Sequence, residues 1–350
     1  MRTSRQVGIV GYGAYIPRLR IPTALIASAW GKSSDGRLPV REKSVAALDE
    51  DTVTMAIEAA RAALRRSGVA PDRIRAVWVG TESKPYAVKP SSTVVADAIG
   101  ATPWVSAADL EFACKAGSEA MQAACAYVGS GMADYAMGIG MDAAQSKPGD
   151  HLEFTAASGG AAYLFGPADG ALAVVEESCS YVTDTPDFFR RQHMHYPEHG
   201  HRFTGEPSYF AHSRGATRGL LESLGRKASD YRWAVFHQPN PKFMRRIAVE
   251  MGFTEEQIAP GTVVDQIGNT YSGASLLGLA GILDVARGGD RIFFCSYGSG
   301  AGSDAFSLQA TERLERVRDE APAVGDYLRN RHAIGDYGRY LRIAGKIRML

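Results

Sequence analysis

The sequence predicts an α/β fold built from two similar halves, and three observations lead to this prediction. Short apolar runs typical of buried strands alternate with longer runs whose apolar residues recur at helical spacing. Many of the 38 glycines fall at strand ends and tight loops, as the scaffold of a site often requires. The same order of helices and strands also occurs twice along the chain, which indicates a duplicated unit.

The composition is that of a globular chain with enough apolar residues for a large core. Its 350 residues are 45% hydrophobic and carry a formal net charge of +1, so we expect neither nucleic acid nor an anionic membrane surface as the main partner. No apolar run approaches the roughly 18 residues of a membrane span, and the N-terminus lacks a signal-peptide pattern, so we expect a cytoplasmic protein. The four cysteines form no Cys-x-x-Cys pair, which favours reduced thiols over disulfides or a zinc site.

The first half begins with a buried strand that Pro17 closes. The Gly-x-Gly segment at residues 11–13 lacks the third glycine of a dinucleotide-binding motif, so we do not predict such a site. A strong helix follows, which Asp51 or Thr52 can cap and Gly68 ends. The predicted elements are strand 7–17, helix 22–30, loop 31–42, helix 51–67, strand 75–81, helix 91–99, strand 104–108, helix 118–127, strand 135–141, helix 156–165 and strand 170–175.

The second half follows an irregular polar-aromatic segment over residues 183–206. From residue 311 the tail is charged, and we expect a helix followed by extended pieces. We expect two halves, an N-terminal one over 1–170 and a C-terminal one over 171–350. The predicted elements here are helix 208–224, strand 231–236, helix 242–251, helix 274–286 and strand 291–296.

Cys114 is the centre of our functional hypothesis. It stands where a strand-like run gives way to a helix-like run, so we expect it near a helix N-terminus, whose dipole favours a thiolate. Lys115 adds a neighbouring cation, and covalent acyl transfer requires a positioned thiol of low pKa. The alternative is a buried cysteine that packs as a small hydrophobe, which is our interpretation of Cys125, Cys179 and Cys295.

Polar residues follow the repeated elements in step. Glu82 and His237 each follow a strand and are 155 residues apart; Cys114 and Asn269 each open an apolar helix and are also 155 residues apart. Ligand sites in α/β sheets lie beyond the carboxyl ends of strands, and a duplicated fold brings equivalent ends together. We therefore expect these four residues to meet in one site. Taken singly, Glu82, His237 and Asn269 also fit an exposed carboxylate, a structural histidine and a turn residue.

Six segments in order carry a resemblance to a known group of enzymes. They are residues 79–83, 107–117, 202–207, 235–240, 267–273 and 296–304. With them the chain resembles the archaeal-type 3-hydroxy-3-methylglutaryl-CoA (HMG-CoA) synthases of the thiolase superfamily over essentially its whole length. The resemblance implies a thiolase-like fold whose two repeated halves form a layered αβαβα core. A thiolase would carry a second catalytic cysteine where this chain has Gly298-Ser299-Gly300, and type III ketoacyl synthases lack a glutamate equivalent to Glu82.

The resemblance implies an acyltransferase that makes HMG-CoA from acetyl-CoA, acetoacetyl-CoA and water, early in the mevalonate pathway. Cys114 would take the acetyl group, and Glu82 would remove a proton from its methyl. His237 and Asn269 would hold the carbonyl of acetoacetyl-CoA, and His237 would protonate the new alkoxide. Backbone N–H groups of Cys114 and of the loop around Ser299, itself a substrate contact, are expected to stabilise oxyanions by roughly 3 kcal/mol each. The CoA thioesters are substrates, and no cofactor is implied.

Further contacts to the acyl group and to CoA are implied by the same resemblance. Thr155 and Thr204 are carried over as acyl-pocket contacts, and Arg202 and Lys242 as CoA contacts, because phosphates require such cations. Arg246 lies one helical turn after Lys242 and is expected on the same face.

The segment 183–207 is the expected CoA-binding loop. Its histidines suggest a metal cluster, but their spacing matches no standard zinc site, so we expect a substrate-lining loop and no metal. Near the first helix, Trp30-Gly31 lacks the Asp expected for some members of the group. The histidines are His193, His195, His199 and His201.

The resemblance also implies partners, and two alternative functions stay open. We expect a homodimer or larger homo-oligomer, and a complex with an acetoacetyl-CoA thiolase and a small OB-fold/zinc-ribbon scaffold protein. One alternative is another condensing enzyme of the superfamily, similar to ketoacyl synthase III. The other is a non-catalytic acyl-CoA-binding subunit, for which Cys114 would never become acylated.

Overall fold

The computed structural model describes residues 1–32, 38–144 and 146–347, so residues 33–37 of the loop predicted over 31–42 lie outside it. No helix in these ranges combines the length and the apolarity that a membrane crossing needs. The strands are β1 Val7–Tyr15, β2 Leu19–Pro22, β3 Glu42–Val45, β4 Ile74–Gly80, β5 Ser106–Leu110, β6 Tyr135–Ala143, β7 Ser158–Pro167, β8 Ala173–Val182, β9 Phe188–Phe189, β10 Glu198–His199, β11 Trp233–Phe236, β12 Arg291–Cys295, β13 Gly302–Ala310 and β14 His332–Ala333. The helices are α1 Thr23–Ala29, α2 Thr52–Ser67, α3 Ser91–Ala98, α4 Ala116–Gly129, α5 Ala211–Leu224, α6 Pro241–Glu250, α7 Glu255–Ile258, α8 Val264–Ile267, α9 Ala274–Leu283, α10 Glu312–Val317, α11 Val324–Arg329 and α12 Tyr337–Ile343.

A mixed sheet organises the fold, and its strand order is symmetric. Over the described ranges it has nine strands in the order β11-β12-β13-β8-β1-β7-β6-β4-β5. From the centre outward, β8-β13-β12-β11 mirrors β1-β7-β6-β4. In both arms the last pair is parallel and the inner pairs are antiparallel. The arms join at a short β1–β8 ladder, in which Gly8 pairs with Val174 and Ile9 with Ala173. The duplicated order of elements is therefore present in the sheet itself.

Three of the five apolar clusters among the described residues lie between the layers of the fold. The central core combines α4 and α9 with strands of both arms, for example Met121 and Leu276 with Tyr163 and Phe306. One outer core packs α2 and α3 against the first arm, and the other packs α5 and α6 against the second. Helices, sheet, helices, sheet and helices thus follow one another, and the predicted αβαβα fold class is confirmed.

The ends of α2 follow from its sequence. The Asp51 carboxylate accepts a hydrogen bond from the Thr54 backbone N–H at 2.8 Å, and the Thr54 hydroxyl accepts one from the Asp51 N–H at 2.8 Å. This reciprocal cap satisfies two donors that the first helical turn leaves unpaired. Gly68 has φ 67°, a left-handed conformation that ends the helix. The predicted helix over 51–67 is confirmed.

The helix predicted over residues 156–165 is wrong, because this segment forms strand β7. Nearly all of β7 is buried, so the alternation of apolar and polar residues that marks a half-buried strand is missing from its sequence. Small residues let β7 approach its neighbour: a Cβ on Gly160 would lie 2.0 Å from Gly140 O. A glycine- and alanine-rich segment that reads as a helix is thus a tightly packed interior strand.

The C-terminal region holds more regular structure than the sequence predicts. No element was predicted over residues 302–310, yet β13 lies there, with Ser303, Asp304 and Ser307 buried among its apolar residues. In the tail, α11 and α12 occupy positions where extended pieces were expected. The carboxylate of Asp336 caps α12 by accepting from Arg339 N at 2.7 Å. The sequence pattern of β13 was therefore not recognised because polar residues are buried in it, and the helices of the tail were not recognised because they are short.

Candidate active site

A tight turn between β5 and α4 presents Cys114 to a cavity. Lys115 N donates to Phe112 O at 2.9 Å, and Ala116 N donates to Ala113 O at 3.1 Å. Ala113 has φ 42°, a conformation that residues other than glycine adopt mainly where the surroundings impose it. Cys114 is buried and lies two residues before the first residue of α4. The predicted position near a helix N-terminus is confirmed.

The surroundings of Cys114 nevertheless favour the thiol over the thiolate. Burial raises the pKa of Cys114 well above its usual value, and the charges of Glu82, Asp142 and Asp187 raise it further. The expectation of a low-pKa thiol is therefore wrong for the unliganded site. A base must take the proton before Cys114 can act as a nucleophile.

The cation expected to assist Cys114 points elsewhere. The Lys115 side chain is buried, and its Nζ lies 3.1 Å from Asp304 Oδ2 and also pairs with Glu119. Lys115 therefore neutralises a carboxylate behind the turn, and the expectation that it lowers the pKa of Cys114 is wrong.

Glu82 lies two residues beyond the end of β4, beside a buried carboxylate. Asp142, on the adjacent strand β6, accepts hydrogen bonds from Thr81 Oγ1 at 2.7 Å, Glu82 N at 2.9 Å, Ser83 Oγ at 2.6 Å and Ser272 N at 2.9 Å. Burial raises the pKa of Glu82 well above its usual value, and the charge of Asp142 adds to this. Glu82 Oε2 is buried without a hydrogen-bond partner in the described part of the chain. Glu82 is thus a carboxylate held ready to accept a proton.

His237 follows β11 directly and is held by its backbone. Its N–H donates to Cys295 O at 2.9 Å, and its carbonyl accepts from Tyr209 Oη at 2.7 Å. Burial lowers the pKa of His237 to about 3, so the imidazole is neutral at physiological pH. Its Nδ1 is buried with no partner among the described residues, which leaves the ring able to engage a ligand.

Asn269 is positioned by the preceding Gly268 and by hydrogen bonds to the segment of residues 155–157. Asn269 N donates to Thr155 O at 2.7 Å, and Asn269 O accepts from Ala157 N at 2.8 Å. Its Oδ1 accepts from Tyr271 N at 2.9 Å, so its amide NH2 is the group that can donate to a substrate. Gly268 precedes it with φ 81° and ψ −170°, a combination that glycine alone adopts readily.

The loop of residues 298–302 is closed on itself and anchored from outside. Gly298 N donates to Gly302 O at 2.8 Å, and Gly302 N donates to Gly298 O at 2.9 Å. The buried Asp187 carboxylate accepts from Gly300 N at 2.9 Å and from Tyr297 Oη at 2.7 Å. Neither Ser299 N nor Cys114 N donates to a backbone carbonyl within the described ranges. These two N–H groups are free to stabilise an oxyanion.

Two neighbouring cavities bring the predicted residues together. A cavity of about 760 Å³ is lined by residues from both halves of the chain, among them Cys114, Thr155, Thr204, His237, Lys242, Asn269 and Ser299. Glu82 lines a smaller cavity of about 260 Å³, and Phe188 and Ser299 line both. The larger cavity is large enough for an acyl-CoA arm, and it unites a nucleophile, a histidine and an amide. The charge of the Glu82 carboxylate, which lines the adjoining cavity, raises the pKa of Cys114.

Other predicted residues lie outside the larger cavity. Arg202 and Arg246 are exposed and do not line it, and Arg246 pairs with Glu206 while its guanidinium stacks on Phe210. Of the four loop histidines, His199 lines the cavity. No group of three metal-ligating side chains occurs in the part of the chain that the structure describes.

Sequence reasoning missed two buried aspartates that hold the site. Asp142 ends the buried run of β6, and a carboxylate at the end of an apolar strand was a signal that could have identified it. Asp187 lies in the irregular segment that was expected to be the CoA-binding loop. It anchors Gly300, 113 residues away in the sequence, and such a distant contact has no local sequence signal.

Sequence comparisons find close relatives along the full length of the chain. It is 58% identical over 347 residues to the hydroxymethylglutaryl-CoA synthase of Thermococcus kodakarensis, covering 99% of this chain and 98% of the relative. It is 56% identical to the enzyme of the same name from Methanococcoides burtonii, covering 98% and 99%. A family model described as 3-oxoacyl-[acyl-carrier-protein (ACP)] synthase III C terminal matches residues 221–309.

Solved structures with the same fold are more distant in sequence. An MvaS protein in complex with 3-hydroxy-3-methylglutaryl coenzyme A superimposes with a TM-score of 0.86 at 23% identity, covering 99% of this chain and 93% of that one. The 3-oxoacyl-(acyl carrier protein) synthase III of Pseudomonas aeruginosa superimposes with a TM-score of 0.80 at 21% identity, covering 88% and 99%. Both likenesses support the thiolase-like fold.

Proposed function

The chain belongs to the hydroxymethylglutaryl-CoA synthase family, and on that premise we propose how its residues carry out the reaction. It is an acyltransferase of the mevalonate pathway that condenses acetyl-CoA with acetoacetyl-CoA and water to give HMG-CoA and CoA. The reaction proceeds through an acetyl-cysteine intermediate on the enzyme. One observation carries the assignment of roles: Cys114, His237, Asn269 and Ser299 line one cavity, and Glu82 adjoins it.

The first step transfers the acetyl group to Cys114. The raised pKa of Cys114 means that a base must remove the thiol proton. The lowered pKa of His237 makes it a weak base, but its imidazole is neutral and lines the same cavity, so it can carry this proton to the departing CoA. The sulfur attacks the acetyl carbonyl, CoA leaves as a thiolate, and the imidazolium returns the proton to it. The N–H groups of Cys114 and Ser299 stabilise the intervening oxyanion.

The second step makes a carbon nucleophile from the acetyl group. Glu82 removes a proton from the acetyl methyl, and the same two N–H groups hold the enolate oxygen. The enolate attacks C3 of acetoacetyl-CoA, whose carbonyl oxygen is held by His237 and Asn269. His237 donates its ring proton to the resulting alkoxide, and the proton that Glu82 removed from the methyl replaces it. A carboxylate with a raised pKa is a stronger base than an exposed one, which supports Glu82 in this role.

The last step frees the product. Water adds to the thioester carbonyl, the Cys114 sulfur leaves and takes up a proton from that water, and HMG-CoA departs as the carboxylic acid, which ionises to the carboxylate. Thr155 and Thr204 contact the acyl portion, and the CoA thioesters are themselves the substrates, so we propose that no further cofactor takes part.

The CoA phosphates bind the basic residues at the mouth of the larger cavity. Lys242 lines that cavity and is exposed, so its ammonium can meet a phosphate. Arg202 lies in the adjacent loop of residues 183–207. Arg246 must leave Glu206 before it can bind an anion, so its contribution is expected to be smaller than that of Lys242.

The assignment of Glu82 is tested by Glu82→Ala. The purified variant is incubated with acetyl-CoA, and acetylated Cys114 is measured by intact-protein and peptide mass spectrometry; acetoacetyl-CoA is then added and HMG-CoA is quantified. We expect normal acetyl-enzyme and a loss of condensation of roughly 10²- to 10⁴-fold, because Glu82 acts after acylation. Glu58→Ala, which removes an exposed carboxylate on α2, is the matched control. Normal HMG-CoA formation by Glu82→Ala would show that another residue is the base.

A second candidate is a condensing enzyme of the ketoacyl synthase III type. The match of residues 221–309 to that family is the observation that favours it. Incubation of the wild type with acetyl-CoA and either acetoacetyl-CoA or an acyl-carrier-protein thioester separates the two. A product with the mass of a ketoacyl thioester, without HMG-CoA, would support this candidate, and a complete lack of acylated Cys114 would favour a non-catalytic binding subunit.

The assembly of the enzyme also belongs to this proposal. We infer a cytoplasmic homo-oligomer whose protomers consist of the halves 1–170 and 171–350. Within the described residues β5 pairs only with β4, and this edge of the sheet supports pairing with a second copy. A complex with an acetoacetyl-CoA thiolase and an OB-fold/zinc-ribbon scaffold protein is part of the same proposal, and size measurement after co-expression tests it.

A further inference from the structure

Lys115 is a buried lysine beside the nucleophile whose charge the reaction does not use. Its side chain is 1% exposed, and its Nζ lies 3.1 Å from Oδ2 of Asp304, which is fully buried on β13. The other carboxylate partner, Glu119, is half exposed one turn along α4. Burying an ion pair costs free energy unless both charges are well partnered. A buried lysine immediately after Cys114 therefore indicates a specific role.

Asp304 is the centre of a network that joins the two halves of the chain. Its Oδ2 accepts from Ser118 Oγ on α4 at 2.6 Å, and its Oδ1 accepts from Ser180 Oγ on β8 at 2.6 Å. Ser296 Oγ lies 2.6 Å from Ser118 Oγ and accepts from Asp304 N at 3.1 Å. The start of α4 is thereby tied to the strands that flank the loop of residues 298–302.

The aliphatic part of Lys115 lies against both ends of that loop. A Cβ added to Gly298 would lie 2.5 Å from Lys115 Cβ and 2.5 Å from Phe112 O, and a Cβ added to Gly302 would lie 3.1 Å from Lys115 Cδ. Gly298 immediately precedes Ser299, and Lys115 immediately follows Cys114. Lys115 therefore lies beside both N–H groups that are available to an oxyanion: it follows Cys114 directly, and it contacts Gly298, which precedes Ser299.

We propose that Lys115 is a positioning residue, which through its pairing with Asp304 fixes the spacing between the Cys114 and Ser299 N–H groups. The proposal rests on the function proposed above and adds to it the element that aligns the two oxyanion donors. These donors come from opposite halves, and no backbone hydrogen bond within the described ranges joins Cys114 directly to Ser299. An oxyanion requires donors at about 2.7–3.1 Å, so a small shift of the loop weakens catalysis.

The test uses neutral replacements that keep shape. Lys115→Met retains the aliphatic stem and removes the charge, but it leaves Asp304 buried and unpaired. The double variant Lys115→Met/Asp304→Asn removes both charges and so leaves no unpaired buried charge. It can therefore be assayed even if the single variant unfolds. Gly298→Ala displaces the loop from the same side without changing any charge. Lys227→Met, the same substitution at an exposed lysine, is the matched control.

Two measurements separate positioning from stability. Acetyl transfer to Cys114 is followed by rapid-quench mass spectrometry over a range of acetyl-CoA concentrations. The carbonyl stretch of ¹³C-acetyl-Cys114 is recorded by infrared difference spectroscopy, because oxyanion donors polarise that bond. For the double variant and for Gly298→Ala we expect maximal acetylation rates lower by roughly 10- to 100-fold, with little change in half-saturation, and a carbonyl stretch at higher wavenumber. Lys227→Met should match the wild type.

The inference and the proposed function fail in different ways. A double variant that acetylates at the wild-type rate and keeps its carbonyl stretch would overturn the inference, whatever its melting temperature, since the pair would then have no part in positioning the two donors. A wild type that forms acetyl-Cys114 but makes no HMG-CoA would refute the proposed function, while the comparison of carbonyl stretches would still decide the role of Lys115.

Discussion

At the scale of single residues, Cys114 shows how burial can outweigh a helix terminus. Its place just before α4 was predictable from the change of sequence pattern, but the direction of its pKa depends on carboxylates that come from distant parts of the chain. Burial raises the pKa of Cys114 first, and Glu82 adds to it through charge. A thiol that is neutral at rest resists oxidation and alkylation, and it becomes a nucleophile when substrate and base are both present.

The electrostatic link between Glu82 and Cys114 makes a testable prediction. In Glu82→Gln the carboxylate charge is gone, so the pKa of Cys114 falls and more thiolate exists at a given pH. We expect Cys114 to react faster with iodoacetamide than in the wild type at a pH above the raised pKa of Glu82, where wild-type Glu82 is ionised. As the pH falls through the raised pKa of Glu82, wild-type Glu82 becomes neutral as well, and the thiolate fractions converge. Peptide mass spectrometry measures alkylation at Cys114 separately from the other cysteines.

The control for this experiment is Glu58→Gln, at an exposed carboxylate on the surface of α2. Equal alkylation rates for wild type and Glu82→Gln across the whole pH range would mean that desolvation alone sets the reactivity of Cys114.

Lys115 marks a limit of sequence reasoning at this scale. Adjacency in sequence suggested that its charge would act on Cys114, but successive residues in a turn point in different directions. Its partner Asp304 lies in β13, which the sequence pattern did not reveal. Glu82, His237 and Asn269, by contrast, could be named because each follows or opens an element of the repeat, where position alone places a side chain at the site.

At the scale of elements, a helix with one exposed face could be predicted together with its ends, whereas two strands covered on both faces were missed. The strands β1, β6 and β12 are covered as well but were predicted from their apolar runs. Helix α2 has an apolar stripe, a cap and a terminal glycine, and all three can be read from the sequence. Strands β7 and β13 are covered on both faces, so their residues show neither alternation nor helical spacing that separates the two states. Their identity comes from tertiary pairing.

The turn that carries Asn269 is expected to depend on Gly268. A Cβ at this position would lie 2.5 Å from Thr155 O, and its backbone conformation is one that side chains do not tolerate. We expect Gly268→Ala to lose roughly 2–4 kcal/mol of unfolding free energy and to displace Asn269, so that condensation falls more than acetyl-enzyme formation. Denaturant unfolding and the two-stage mass assay measure both effects.

Gly225→Ala is the matched control for this substitution. Gly225 ends α5 with φ 61°, a left-handed conformation, and no atom lies within 4 Å of an added Cβ. We expect a loss of about 1 kcal/mol and normal catalysis. If both alanine variants lost the same stability and kept full activity, the close approach of Gly268 to Thr155 would be irrelevant to the site.

At the scale of the whole molecule, the two arms of the sheet share one central core. The arms pair with each other over two residue pairs, whereas α4 and α9 pack against strands of both. The contribution of burial to stability grows with apolar area, so the central core rather than the short ladder holds the halves together. Neither half is expected to remain folded when the other unfolds.

This expectation is tested with two tryptophans. Trp78 lies on β4 and packs against Tyr127, and Trp233 lies on β11, where its indole N–H donates to Asp290 at 2.9 Å. In variants that keep one of these tryptophans and replace the remaining three, we expect the fluorescence transitions in guanidinium chloride to coincide, because the halves unfold together. Transitions at clearly different denaturant concentrations would show that the halves are independent folding units.

The separation of Glu82 from the larger cavity has a kinetic consequence. Cys114 lines the larger cavity and Glu82 lines the smaller one, so a pantetheine arm that fills the larger cavity leaves the smaller one unfilled. The proton removed from the acetyl methyl can therefore exchange with solvent while the second substrate is still seated. In deuterium oxide, label should enter the methyl group during the lifetime of the ternary complex.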